Sequence, residues 1–503
     1  MFPGCLSIFC QDAIKFTSIR KVRQLCRIIP YNRSCCPVTY VFFNSETRHL
    51  SSTGSRHQQV GEDIEQSLTA EVWDIVVSGG GLVGSAMACV LGYSSVLLDK
   101  KILMLETGPP FSQKPLTEKY SNRVFALTPA TRDLLNSFKA WDNICSVRLK
   151  PVKRMQVWEA CSDATISFQH TGMLHDVAYI VENEVILGGV MEQLAKISDR
   201  VTVLNHAKVT EYVLPKQGGI NEWVEIKLEN GRKLKTKLLI GADGMRSLVR
   251  KTMNVNYTAW NYDQKAIVAT LKLSEPTENN VAWQRFISTG PIALLPLSDD
   301  QSSLVWTATS ELADQLMAMP EDNFVDALNS AIWDESKKNP IVEKTLGTLN
   351  SFLNTLWPGE GSVRQLPPNI LSIDEGSRAC FPLGLGHAAH YVAPRVALVG
   401  DAAHRIHPLA GQGVNLGFGD VQALAKLLVN SVYDGNDIGT LEPLLEYETE
   451  RQRHIVPTMC VIDGLNRLYS TDLLPVVLLR SLGLHLTDTF RPIKERIISH
   501  ASS

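Results

Sequence analysis

Four apolar runs along the chain each end in a glycine-bearing turn, and three of them stop directly on a carboxylate. They are Trp73 to Ser78, Ile102 to Glu106, Leu238 to Asp243 and Val396 to Asp401. Short apolar runs bounded by turn residues read as buried strands. In a doubly wound sheet, ligands bind beyond the carboxyl ends of the strands, so the four turns are expected to converge on one site.

The uncharged stretch around the first run is 24 residues long, Ile75 to Leu98, enough on length alone to span a bilayer. Five glycines interrupt it (Gly79, Gly80, Gly81, Gly84 and Gly92), four of them within six residues. That pattern predicts a strand, a tight turn and a helix. Gly79-x-Gly81-x-x-Gly84 has the dinucleotide spacing. The first glycine permits the turn, the second lets a pyrophosphate approach the backbone, and the third lets the helix pack on its strand. The helix N-terminus offers free N–H groups and a partial positive charge to phosphates. Glu106 lies 25 residues after Gly81 and is placed to accept from a ribose hydroxyl. Asp99 competes for that role, but Ile102 to Leu105 makes the better strand, which leaves Asp99 in a solvated connection.

Further along, Val281 to Phe286, Ile292 to Leu297 and Ser303 to Thr307 are short β-prone runs separated by turn residues, as in an antiparallel sheet. Trp283 and Trp306 on these runs are expected in a core. Val421 to Val429, with Leu424, Leu427 and Leu428, supplies the apolar face of a helix. Near the C-terminus, Leu473 to Leu479, Leu482, Leu484 and Leu486 precede Arg491, Lys494 and Arg496. An apolar stretch beside a cationic one fits an interfacial helix on anionic lipid. It equally fits a helix packed on the core.

The chain has 503 residues, 44% hydrophobic and 20% charged, with a formal charge of −3, so a nucleic-acid partner is not indicated. Residues 1–57 depart from this average. They carry eight basic residues against two acids, a charge of +6 that leaves −9 for the remainder. An Arg-rich, Ser/Thr-rich, acid-poor N-terminus is the composition of a mitochondrial transit peptide, and Arg48-His49-Leu50-Ser51-Ser52-Thr53 resembles a processing site. Cys5, Cys10, Cys26, Cys35 and Cys36 fall in this segment. The other five cysteines are scattered, which indicates neither a disulfide framework nor a zinc site. His404 and His407 are spaced as a possible metal pair but lack a third ligand, so no metal is expected.

The four turns taken together, above all Gly400-Asp401-Ala402-Ala403-His404 through Gly411-Gln412-Gly413-Val414-Asn415, resemble the group A flavoprotein monooxygenases typified by para-hydroxybenzoate hydroxylase. Within that group the chain is most similar to the ubiquinone-biosynthesis ring hydroxylases. Lys100 to Gly108, Arg154-Met155-Gln156-Val157-Trp158, Tyr179 to Asn183, Trp260-Asn261-Tyr262-Asp263-Gln264, Asn279 to Phe286, Gly290 to Ser298 and Phe381 to Gly419 carry that likeness. It covers roughly residues 72–495, departing in the presequence and in a loosely patterned insert from Val342 to Pro358.

The resemblance implies an α/β fold: a Rossmann-like FAD-binding domain, an antiparallel-sheet substrate domain and a C-terminal helical region. It divides the chain into a targeting segment (1–58), an FAD-binding domain in two parts (72–255 and 378–435), the substrate sheet (256–377) and the helical region (436–503). It implies FAD as cofactor, held by Gly79, Gly81, Gly84, Glu106, Arg123, Asp243, Asp401, Gly411, Gly413 and Asn415. Asp401 would bind the ribityl chain, the helix after Gly411 would face the flavin N1 and C2 carbonyl, and Asp243 would lie near the pyrophosphate. Arg123 would stand at the flavin's side, and Pro408 would line the reaction site. No side-chain catalytic dyad is required, because the flavin activates O2 and the protein orients the ring.

The implied substrate is a polyprenylated phenol similar to 3-polyprenyl-4-hydroxybenzoate, hydroxylated at ring C5, or its decarboxylated relative. The implied electron donor is NADPH, directly or through ferredoxin and its reductase. The implied setting is a ubiquinone-biosynthesis complex in peripheral contact with the matrix face of the mitochondrial inner membrane. An FAD-dependent dehydrogenase or reductase of a prenyl lipid shares the first two motifs. A flavin-bound scaffold is the non-enzymatic alternative.

Overall fold

A computed structural model describes residues 70–112, 119–169, 173, 175–215, 222–356 and 365–502. The targeting segment expected at residues 1–58 lies outside them.

The first apolar run forms the strand Glu71–Ser78, buried over its last four residues. It pairs in parallel with Ile102–Leu105, Ile75 opposite Ile102, and that strand pairs in parallel with Val201–Leu204. On its other side lie Lys233–Gly241 and Val396–Leu398, themselves parallel. The order is that of a doubly wound sheet, with the earliest strand central and later strands added on both sides. The stretch from Ile75 to Leu98 is therefore a strand, a turn and the helix Leu82–Tyr93. Among the described residues no helix is long and apolar enough to cross a membrane.

A nine-stranded sheet lies beside the first. Its centre is the long strand Tyr257–Leu273, paired antiparallel with Gln301–Thr309 and with Ala379–Ala388. Ile292–Pro296 and Val281–Phe286 continue it. Val281–Phe286 then pairs in parallel with Arg154–Glu159, the one parallel pair in a sheet otherwise antiparallel over its described pairings. Trp283 and Trp306 are buried in a core with Ile267, Leu304 and Phe324, against the helices Ser310–Ala318 and Glu321–Trp333. The two sheets are stitched together where His404–Arg405 joins Ala379–Ala388, directly after the Gly400–Ala402 turn.

Three helices end the chain: Leu441–Tyr469, Leu474–Thr489 and Arg491–Ser502. The insert expected to be loosely patterned is instead largely the helix Pro340–Leu356. Val342 and Leu346 on it are buried, an i, i+4 pair that is too short a signal to read from sequence.

Candidate functional site

The four turns meet. Gly79 takes φ +109°, and a Cβ there would lie 2.4 Å from the carbonyl oxygen of Ala242 in the third turn. The first turn reaches the second through Gly80, whose N–H donates to Glu106 Oε2 at 2.7 Å. It reaches the fourth through Val83, whose side chain sits 3.2 Å from where a Cβ on Gly400 would stand. Arg250 joins the third to the fourth, donating to the carbonyls of Met245 and Ala402 at 2.7 Å each while lying over the Tyr257 ring.

Each motif glycine has its own reason. Gly84 is needed because a Cβ would fall 1.9 Å from Gly79 O, so the helix could not close on its turn. Gly81 is different: nothing lies within 4 Å of its absent Cβ. The space in front of it opens at the N-terminus of Leu82–Tyr93, where the first helical N–H groups have no intrahelical partner. Gly411 adopts φ +62° and turns the chain into the helix Gly413–Tyr433. No side chain caps that helix at Gln412, so its first amides are free to meet a ligand.

Glu106 accepts from Gly80 and, at 2.6 Å, from Gly108 N–H, so each carboxylate oxygen keeps a lone pair for a further donor. Asp99 is exposed and pairs with Lys100. Asp243 accepts from Leu248 and Val249 N–H through Oδ2, capping the short helix Leu248–Thr252, while its buried Oδ1 has no partner among the described residues. Asp401 is reachable by solvent yet closely surrounded by protein. That crowding pushes its carboxyl above the ordinary value, against His404 and Arg405.

Asn415 is spoken for. Its Oδ1 accepts from Thr128 N and Thr131 Oγ1, and its Nδ2 donates to Ala126 O and Gly411 O. The side chain fastens the helix start to the Val124–Leu127 strand rather than facing outward. Arg123 is exposed and lies three residues before Ala126, roughly 10 Å along an extended strand.

Beside Pro408, His407 is fully buried, and burial lowers its pKa to about 4. Its Nδ1 accepts from Leu409 N–H, so the neutral ring carries its proton on Nε2, which has no partner among the described residues. Its ring and that of Tyr262 pack edge to face, with centroids 5.0 Å apart. Leu409 O accepts from Gln284 Nε2, which ties the turn to the substrate-side sheet.

Sequence reasoning missed the group that holds the fourth turn. Asp420 is fully buried and accepts from Gly400 N at 2.8 Å, His404 Nε2 at 2.7 Å and Arg451 Nε at 2.7 Å. Burial opposes its ionisation, but His404, Arg451 and the Gly400 amide outweigh it and hold the carboxyl below its ordinary value. The one signal was an acid five residues after Asn415 on a helix face that must be apolar. No group of three or more metal-ligating side chains occurs among the described residues.

An open approach at Gly81, an Asp243 oxygen without a partner among the described residues, two carboxylates able to accept from hydroxyls and an uncapped helix start fit FAD. The comparisons agree. The FAD binding domain family matches residues 73–358 and 374–460. Two solved structures share the fold. One is a probable FAD-dependent monooxygenase of Pseudomonas aeruginosa, at TM-score 0.60 and 19% identity, covering 82% of this chain and 99% of that one. The other is p-nitrophenol 4-monooxygenase of Pseudomonas putida, at TM-score 0.61 and 17% identity, covering 86% and 99%. The chain is an FAD-dependent monooxygenase of the group A type.

More particularly, it belongs to the family of the mitochondrial ubiquinone biosynthesis monooxygenase COQ6. The Danio rerio member is 48% identical over 478 residues, 94% of this chain and 98% of that protein. The Homo sapiens member is 52% identical over 437 residues, 86% and 93%.

Proposed function

We propose that the protein hydroxylates ring C5 of a polyprenyl-4-hydroxybenzoate-type intermediate of ubiquinone biosynthesis, or the decarboxylated polyprenylphenol. The observation that carries this reading is the convergence of all four turns beside the nine-stranded sheet, through Gly80–Glu106, Gly79–Ala242, Val83–Gly400 and Arg250–Ala402.

In this reading Gly79, Gly81 and Gly84 shape the pyrophosphate approach, and Glu106 accepts from the ribose. Asp401 accepts from the ribityl chain, and Asp243 Oδ1 takes a donor near the pyrophosphate. The amides of Gly413 and its neighbours would face the flavin ring and offer it their partial positive charge. Asn415 acts through the protein, holding the helix start against Ala126 and Thr128. Arg123 stands at the outer side of the site. Bound FAD, once reduced, supplies the activation of O2. The residues around it orient the phenol and exclude water: Gln284 fixes the Pro408–Leu409 turn, and neutral His407 keeps charge away from it.

Electrons come from NADPH or from ferredoxin with its reductase. The protein works on the matrix face of the inner membrane within a biosynthetic complex, delivered by residues 1–58. The test is turnover of 3-polyprenyl-4-hydroxybenzoate and of the decarboxylated phenol by purified protein, first with NADPH and then with ferredoxin and its reductase. A C5-hydroxylated product with either donor supports the reading. Its absence with both removes it.

A further inference from the structure

The helix Leu474–Thr489 buries a mixed polar and apolar side and leaves an apolar one exposed. Its buried side is Val477, Arg480, Ser481, Leu484 and Thr487. Arg480 Nε donates to Glu159 Oε2 at 2.7 Å, both side chains at most 2% exposed, and the rest of the guanidinium reaches Leu468 O, Thr471 O and Cys161 Sγ. Ser481 bonds the other Glu159 oxygen. The outward side is Pro475, Leu479, Gly483, Leu486 and, just beyond, Phe490, spaced three or four apart as one stripe without a charge, while Leu482 packs against the core.

A surface helix of a globular protein normally turns its apolar stripe inward and its polar face to water. Here Val477 and Leu484 turn inward beside the polar clamp, and a second apolar stripe is left facing outward. Six of the twenty large hydrophobic residues that stand exposed in the described chain fall between Leu473 and Ile493. The flanking segment adds Arg491, Lys494 and Arg496 against one acid, Glu495. Lys494 is paired with Asp488, whereas Arg496 is exposed. An uncharged stripe followed at once by cations is the chemistry of a helix lying in a bilayer interface.

We propose that the stripe Pro475–Leu479–Leu486–Phe490 is the face with which the protein sits on a lipid bilayer. The proposal rests on the reading above for the lipid character of the substrate: a polyprenyl tail stays in the bilayer while its ring enters the site. The clamp on Glu159 then sets the height of the substrate sheet over the membrane, because Glu159 ends the strand Arg154–Glu159 of that sheet.

The test uses full-length holoenzyme and neutral phosphatidylcholine vesicles, on which the basic N-terminus gains no Coulombic attraction. Leu479→Glu with Leu486→Glu should weaken vesicle partition by roughly tenfold or more per side chain while FAD content stays unchanged. Leu98→Glu, at an exposed leucine (62%) in the turn before the strand Ile102–Leu105, should leave partition unchanged. The double variant should also hydroxylate a short-tailed phenol in solution at the wild-type rate and lose activity on the long-tailed substrate in vesicles.

Undiminished vesicle binding by the double variant overturns the proposal, as does a wild type that does not bind neutral vesicles. A wild-type dimer that the double variant dissolves, with vesicle binding intact, assigns the face to a second copy of the chain. Failure of the wild type on the short-tailed phenol counts against the substrate reading alone.

Discussion

Replacing Asp420 with alanine removes one carboxylate and strands three donors at once. Arg451, whose side chain is 9% exposed, loses its carboxylate partner, and the Gly400 amide and His404 Nε2 lose their acceptor. Leaving a buried guanidinium unpaired costs about 3–5 kcal/mol. Orphaning the Gly400 N–H adds about 1–3 kcal/mol. Against a total stability of about 5–15 kcal/mol, the variant should be at the edge of folding and should release FAD, because Gly400 positions Asp401. The assay is thermal unfolding of the apoprotein together with flavin content. Asp420→Leu combined with Arg451→Met removes both charges and should recover a large part of the melting temperature, but not the flavin affinity. Since the folded carboxyl lies below its ordinary value, its contribution is present above about pH 4 and is lost as pH falls through the folded pKa. An alanine variant that melts with the wild type and keeps its flavin would refute the argument.

Gly81→Val should give a folded protein without FAD, since its Cβ meets no protein atom and only the ligand is displaced; near-stoichiometric flavin in the purified variant would contradict that. Asp401→Ala should weaken FAD binding by roughly tenfold or more through loss of a charged acceptor, as read by flavin fluorescence titration. His407 stays neutral down to about pH 4, whereas an unfolded histidine takes up a proton near pH 6.5. Wild-type stability should therefore fall between those values by up to about 1.4 kcal/mol per pH unit, and His407→Asn should flatten the slope in acid unfolding curves. Deleting residues 1–57 should abolish mitochondrial import but leave hydroxylation by the purified protein intact, and import of the truncated chain would contradict the targeting assignment.

The glycine spacing, the acids at the turns and the β-prone runs were legible because each is local. A turn needs its glycine within a few residues, and a parallel strand needs its apolar run. What was not legible depends on distant partners. Asp420 and Arg451 are 31 residues apart, and either alone reads as a solvated charge. Asn415 belongs to the flavin motif by its position, but three of its four side-chain bonds run to residues 284–289 positions earlier. The C-terminal leucines left two readings open, lipid-facing or packed on the core. The helix packs on the core with one side and leaves Leu479 and Leu486 exposed on the other, because Glu159, 321 residues upstream, takes Arg480 and Ser481 into the interior. Sequence periodicity alone cannot show which side of such a helix is buried.

The central claim is that FAD held at these four turns delivers oxygen to an aromatic ring. The most direct measurement is turnover of the polyprenylated phenol under isotopically labelled O2, with the product's oxygen read by mass spectrometry. The account predicts one labelled oxygen on the ring, bound to carbon, and none derived from water. An oxidised or desaturated product without label, with the O2 recovered as peroxide, would contradict it and identify a dehydrogenase instead.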